Sequence, residues 1–144
     1  MDPAITAFVT QYQRASAIRD FPALGELYAE TFMFAGPNSV HAVKREDFLK
    51  IIPRRKEQFV SLGVMETALC SAESFNLDSR YVLAKVTWKI SLRVSNGSFE
   101  SLEVTATYIL QRGTEGKMWI VFQLDHQDLA AVVAQATSEA MHSS

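Results

Sequence analysis

Cysteine is almost missing: Cys70 is the one example in 144 residues, so no disulfide can form within the chain. Cys70 sits in a run of apolar and small residues and reads as a small buried side chain, since no histidine stands near it in sequence to activate a thiolate. Glycine and proline are also scarce, at 6 and 4 residues, so the few that occur mark real turns. No apolar run approaches the roughly 20 residues that a membrane span needs, and the start, Met-Asp-Pro-Ala-Ile, lacks the basic and apolar segments of a signal peptide. A cytoplasmic protein without a membrane partner is expected. Nor is there an excess of one charge: 14 Lys and Arg against 16 Asp and Glu leave a net charge of −2, which argues against a nucleic-acid partner. No Gly-rich phosphate loop, nucleophile elbow, dinucleotide fingerprint or metal-ligand spacing appears, so neither metal nor cofactor is expected.

What is present is the composition of a folded protein, 48% hydrophobic and 21% charged. The length suits one domain over residues 1–144, able to bury about two-thirds of its unfolded surface. Asp2 and Pro3 suit the start of a helix whose stripe is Ile5, Phe8, Val9 and Tyr12. Asp20-Phe21-Pro22 opens a second, short helix burying Leu24, Leu27 and Tyr28. Thr31–Ala35 reads as a short strand ended by Gly36-Pro37-Asn38-Ser39. A third helix spans about Lys44 to Leu62, with Phe48, Ile51, Ile52, Phe59 and Leu62 along one face and Gly63 at its C-terminal cap. Pro53 predicts a kink or restart near Ile52, because proline removes a helical hydrogen bond and crowds the preceding turn.

Beyond Gly63 the period changes to two. Val64–Leu77 is a weak strand, and a long one alternates Val82, Ala84, Val86, Trp88, Ile90, Leu92 and Val94 with polar residues. Asn96-Gly97 predicts a hairpin into Leu102, Val104, Ala106, Tyr108 and Leu110. A turn at Gly113–Gly116 leads to Met118–Asp125, completing an antiparallel meander, and Asp128 caps a last helix from Leu129 to about Ala140 with a fraying tail from Met141. In the last strand Met118, Ile120, Phe122 and Leu124 point one way and Trp119, Val121, Gln123 and Asp125 the other. Helices cover only one side of such a sheet, so its other side predicts a homodimer packed sheet to sheet, unless the C-terminal helix folds back over it.

This order of elements, carried by Leu27–Pro37 and Lys117–His126, resembles the nuclear transport factor 2-like superfamily, which includes ketosteroid isomerase, scytalone dehydratase and polyketide cyclases. The resemblance implies an α+β fold: a curved antiparallel sheet forming a cone-shaped half-barrel closed by N-terminal helices, with a cavity at its wide end. In ketosteroid isomerases the general-base aspartate stands immediately before the proline of the first strand's turn; here that place is Gly36, which carries no proton acceptor. Tyr12 would stand near the family's oxyanion-hole tyrosine, with an ordinary core tyrosine as the alternative.

If the cavity side carries Trp88, Tyr108 and Trp119, then Gln123 and Asp125 are its polar members, with Phe34 and Phe59 completing an aromatic lining. A desolvated Asp125 would suit acid–base work; at a frayed strand end it would be ionised and idle. His126, next to it, points to the opposite face, and His41 lies near the mouth. Arg54-Arg55-Lys56 spread around their helix, with Arg55 on the stripe of Phe48, Ile52 and Phe59. Three functions remain open: a homodimer binding a small hydrophobic or organic-acid ligand, a cofactor-independent lyase, isomerase or cyclase using Asp125 and Tyr12, and an interaction module using the outer sheet face.

Overall fold

The computed structural model describes residues 2–94 and 97–142. The fold is α+β. Helices α1 (Pro3–Ala17) and α2 (Phe21–Glu26) come first, then strands β1 (Tyr28–Ala35) and β2 (Val40–Lys44) and helix α3 (Arg45–Ser61). Strands β3 (Val64–Asn76), β4 (Tyr81–Arg93), β5 (Phe99–Arg112) and β6 (Met118–Asp125) follow, and α4 (Leu129–His142) ends the chain. The six strands form one curved, unclosed sheet in the order β2-β1-β6-β5-β4-β3. Every neighbouring pair is antiparallel except β1 and β6, which run parallel.

The caps follow from the sequence. Asp2 accepts from the Ala4 backbone N–H at 2.9 Å, Asp20 from that of Ala23 at 3.2 Å and Asp128 from that of Ala131 at 3.2 Å. Gly63 takes φ +101° at the end of α3, a conformation open to glycine and costly for other residues. The core lies on the concave side: Ile5, Phe8 and Val9 of α1 and Leu24 of α2 pack on Val82, Val86, Leu110 and Ile120.

Several expectations are corrected. Tyr28 belongs to β1 and not to α2, and Val40–Lys44 is a strand, because the turn at Gly36–Ser39 returns the chain along β1 with Phe34 opposite His41. Helix α3 continues through Pro53 without a restart; one missing donor leaves the rest of the ladder intact, and Phe48 and Ile52 on either side of that turn's start pack on the core. Ile51 and Leu62 are exposed and not on the packed face. Cys70 is exposed and not buried, standing at a register shift of β3 where one residue is left unpaired, with Glu103 accepting from its Sγ at 3.6 Å. The predicted hairpin joins β4 to β5, with Gly97 at φ +85°, but Asn96 lies outside the described residues, as do Ser143 and Ser144 of the tail. No helix among the described residues is long and apolar enough to cross a membrane.

Candidate functional site

The concave face and α3 enclose a cavity of about 440 Å³. Its wall is aromatic: Tyr12 from α1, Tyr28, Phe32 and Phe34 from β1, Phe48 and Phe59 from α3, Trp88 from β4 and Tyr108 from β5. These rings pack as tilted and edge-on pairs, with Tyr28 4.5 Å from Phe32 and 4.6 Å from Phe48 between centroids, and Tyr12 5.7 Å from both Trp88 and Tyr108. The exposed lining residues Ser39, His41, Ile51 and Arg55 mark the rim. A larger hollow of about 750 Å³ adjoins it near the ends of α1 and α3, sharing Ser16, Lys56, Phe59, Thr67 and Leu129. Neither the tyrosines nor Asp125 reach that second hollow, so the chemistry resides in the first.

One strand irregularity decides what faces the cavity. On β5 the residues Ile109 and Leu110 are adjacent, but their partners on β6 are Phe122 and Ile120, so Val121 is an extra residue, a bulge. Before it, Met118 and Ile120 face the core. After it, parity is reversed and Gln123 and Asp125 face inward, opposite Tyr108 and Ala106. Trp119 therefore does not share their side: it pairs with Gln111, is absent from the lining, and lies against Gly113, where a β-carbon would collide with its ring. Simple alternation groups Trp119 with Gln123 and Asp125; the bulge separates them. The other expected lining residues, Tyr12, Phe34, Phe59, Trp88, Tyr108, Gln123 and Asp125, meet in the one cavity.

Inside it runs a continuous hydrogen-bonded chain. The Tyr12 and Tyr28 hydroxyls are 2.9 Å apart, Tyr28 donates to Gln123 Oε1 at 2.6 Å, and Gln123 Nε2 donates to Asp125 Oδ1 at 3.0 Å. Beside this chain the Trp88 indole N–H donates to the Tyr108 hydroxyl at 3.2 Å, and the Tyr108 ring packs on that of Tyr12. The direction of each bond follows from the carboxylate. Asp125 can only accept, so Gln123 turns its amide nitrogen to it and its oxygen to Tyr28. Tyr28 spends its one proton on that oxygen, so Tyr12 donates to Tyr28. All donors point toward Asp125, and every tyrosine hydrogen in the chain is used.

Burial sets the titration behaviour. It raises the pKa of Tyr12 and pushes Tyr28 and Tyr108 well above the usual tyrosine value, so all three are neutral phenols. Burial also raises Asp125, opposed by the hydrogen bond from Gln123 and by the positive charges of Arg55 and His126. Because Gln123 holds Oδ1, and Oδ2 has no partner among the described residues, Oδ2 is the oxygen at which a proton is gained or lost. Arg55 acts at a distance: among the described residues it makes no ion pair within 4.0 Å, and its guanidinium lies 5.5 Å above the Phe59 ring. Burial lowers the Lys56 pKa, and its ammonium donates to Ser16 Oγ at 3.4 Å.

His126 lies on the opposite side, its Nε2 2.7 Å from Thr107 Oγ1, so it forms no dyad with Asp125. His41 stands at the rim, 5.9 Å from the Phe34 ring. Tyr28, the middle of the chain, escapes a sequence reading that places it on a helix; its spacing of four and six from Phe32 and Phe34 is the signal that it shares their strand face. Among the described residues no cluster of His, Cys, Asp or Glu is arranged to hold a metal ion.

Residues 2–128 match the family model described as NTF2-like protein (DUF6841). No functionally curated protein matches the chain. Among solved structures, an NTF2-like protein with a cystatin-like fold from Novosphingobium aromaticivorans is 18% identical with a TM-score of 0.69, covering 92% of this chain and 85% of that one. An NTF-2 like protein of unknown function from Shewanella oneidensis MR-1 is 14% identical with a TM-score of 0.68, covering 86% and 97%. A protein from Catenulispora acidiphila in complex with S-DNPA is 13% identical with a TM-score of 0.68, covering 89% and 93%. At these identities the likeness is one of fold.

Proposed function

The chain belongs to the NTF2-like family DUF6841, and on that premise we propose that it is a homodimeric protein that binds a small hydrophobic or organic-acid molecule in its aromatic cavity. The observation that carries this reading is the cavity itself: about 440 Å³, within the range of small-molecule sites, walled by aromatic rings, with Tyr12, Tyr28, Gln123 and Asp125 joined in one hydrogen-bonded chain. A structural neighbour in complex with S-DNPA supports a ligand-holding use of this fold. A panel of small hydrophobic acids and ketones tests it by thermal denaturation: at least one compound raises the melting temperature, since a ligand that binds only the folded state stabilises it. No shift across a broad panel counts against the reading.

The second reading is a cofactor-independent lyase, isomerase or cyclase. The observation that favours it is Asp125, desolvated and with Oδ2 unpartnered beside an aromatic wall, the setting of a general base. Tyr12 is then a positioning residue, because its hydrogen is already given to Tyr28. An NMR titration of the Asp125 carboxyl decides: a pKa above that of a free aspartate supports the reading, and a value near 4 counts against it.

The homodimer rests on the outer sheet face. One row is apolar across five of the six strands, with Phe75 opposite Leu83, Leu83 opposite Ile109, Ile109 opposite Phe122 and Phe122 opposite Met33. Such a row, left outside the core by every helix, is the kind of surface that two copies cover.

A further inference from the structure

The polarity of the hydrogen-bonded chain has a consequence for what the cavity selects. The hydroxyl hydrogens of Tyr12 and Tyr28 are spent inside the chain, so these two residues present lone pairs and ring faces to a ligand and no donor. The floor adds an acceptor, Asp125 Oδ2, which has no partner among the described residues. It is therefore a site for a ligand that brings a donor.

The rim has the opposite character. Arg55 is exposed, lines the cavity, rests on Phe59 and has no carboxylate within 4.0 Å among the described residues, yet its charge reaches Asp125. Stacking on a ring fixes the guanidinium plane while leaving its N–H edge available for an oxyanion. Of the other charged groups on this wall, Lys56 is held by Ser16 and His41 is at the far rim on β2. Arg55 and Asp125 line the same cavity as Phe48, Phe59, Tyr12 and Trp88, and a wall of such rings favours a flat body.

We propose that the cavity takes a hydroxylated aromatic carboxylate, its hydroxyl donating to Asp125 Oδ2 on the floor and its carboxylate held by Arg55 at the rim. This rests on the ligand-binding reading above and adds both a chemical class and an orientation to it.

The test uses two probes, 3-hydroxybenzoate and 6-hydroxy-2-naphthoate, each with its methyl ester, which removes the charge, and its methoxy ether, which removes the donor. Calorimetry gives affinity, and the NMR shifts of the Gln123 side-chain amide and the Trp88 indole N–H report occupancy of this cavity. The expected result is that at least one hydroxy acid binds tenfold or more tightly than both of its analogues. Arg55→Gln then removes the disadvantage of the ester. Asp125→Asn, which turns an amide N–H toward the ligand, removes or reverses that of the ether. Should the analogues bind as well as the hydroxy acids while Gln123 and Trp88 shift, this inference is overturned and ligand binding stands. If no probe moves either signal and the wider panel gives no thermal shift, both fall. The comparison of ligands on the unaltered protein decides the matter even where a variant does not fold.

Discussion

The hydrogen-bonded chain of the cavity ends on Asp125, a carboxyl group with one oxygen bound and, among the described residues, the other unpartnered. Gln123 donates to Oδ1 and so opposes the effect of burial on the pKa. Replacing Gln123 with Leu removes that donor, so the Asp125 pKa rises further, as read by NMR titration; an unchanged or lower value would mean that the amide does not hold the carboxylate. The same raised pKa links this group to stability. The folded chain binds the Asp125 proton more tightly than the unfolded one, so its stabilising effect is complete below the pKa of an unfolded aspartate, about 3.9, and is lost as pH rises through the higher folded value. Asp125→Asn imitates the protonated form and keeps an acceptor for Gln123. The variant therefore melts at a higher temperature than the parent at pH 7, and the difference shrinks to nothing toward pH 3. Thermal unfolding followed by circular dichroism across that range checks both the sign and the window. Part of the lining was legible in the sequence, because β4 and β5 alternate without interruption and so fix the faces of Trp88 and Tyr108, whereas alternation along β6 groups Gln123 and Asp125 with Trp119. Tyr28 was not, since the boundary between a six-residue helix and the next strand carries no sharp signal after Leu27.

At the scale of elements, irregularities do the positioning, and these are what a periodic reading misses. The extra residue Val121 lets one strand give its first half to the hydrophobic core, through Met118 and Ile120, and its second half to the cavity, through Gln123 and Asp125. A bulge adds one residue without a composition of its own, so nothing in Trp119–Asp125 announces it. The end of α3 is different, because glycine does announce it. Gly63 stands at φ +101°, its carbonyl accepts from the Arg93 N–H at 2.8 Å, and a β-carbon there would collide with the Arg93 carbonyl oxygen. Gly63→Ala thus meets a strained backbone conformation and a contact with backbone that cannot swing away. The expected loss is about 2 kcal/mol or more in urea unfolding, given that left-handed strain alone costs about 1–3 kcal/mol. A loss within a few tenths would show that the turn relaxes freely, and β3 would then not depend on it for register. Pro53 shows the converse: a strong local breaker is tolerated inside α3 where the residues around it pack.

For the whole molecule, the helices and the cavity occupy the concave side, which leaves the convex side to be explained. The described side chains of helix α4 turn to the other side: Val133 is fully buried in the concave core, and Leu129 and Ala136 pack against that same core. Alternation in the sequence puts Met118, Ile120, Phe122 and Leu124 on one face; the bulge sends Met118 and Ile120 to the core and leaves Phe122 and Leu124 outside, and only the register of five strands shows that Phe75, Leu83, Ile109, Phe122 and Met33 fall in one transverse line. In a single chain Met33 keeps 38% and Phe75 56% of its surface in water, and each would gain about 25 cal/mol per Å² on losing it. A two-fold partner covers both at once, since an isologous contact repeats every pairing. Ile109 is central to the line, so Ile109→Lys sets two ammonium groups close to the axis of the dimer, where each must be desolvated without a partner. Sedimentation velocity at high micromolar concentration should give a dimer for the parent chain and a monomer for this variant, with the circular dichroism spectrum unchanged because the side chain points away from the core. A parent protein that sediments as a monomer of about half the expected dimer mass would remove the dimer while leaving the concave cavity and its carboxylate untouched, so the two halves of the proposal stand or fall separately.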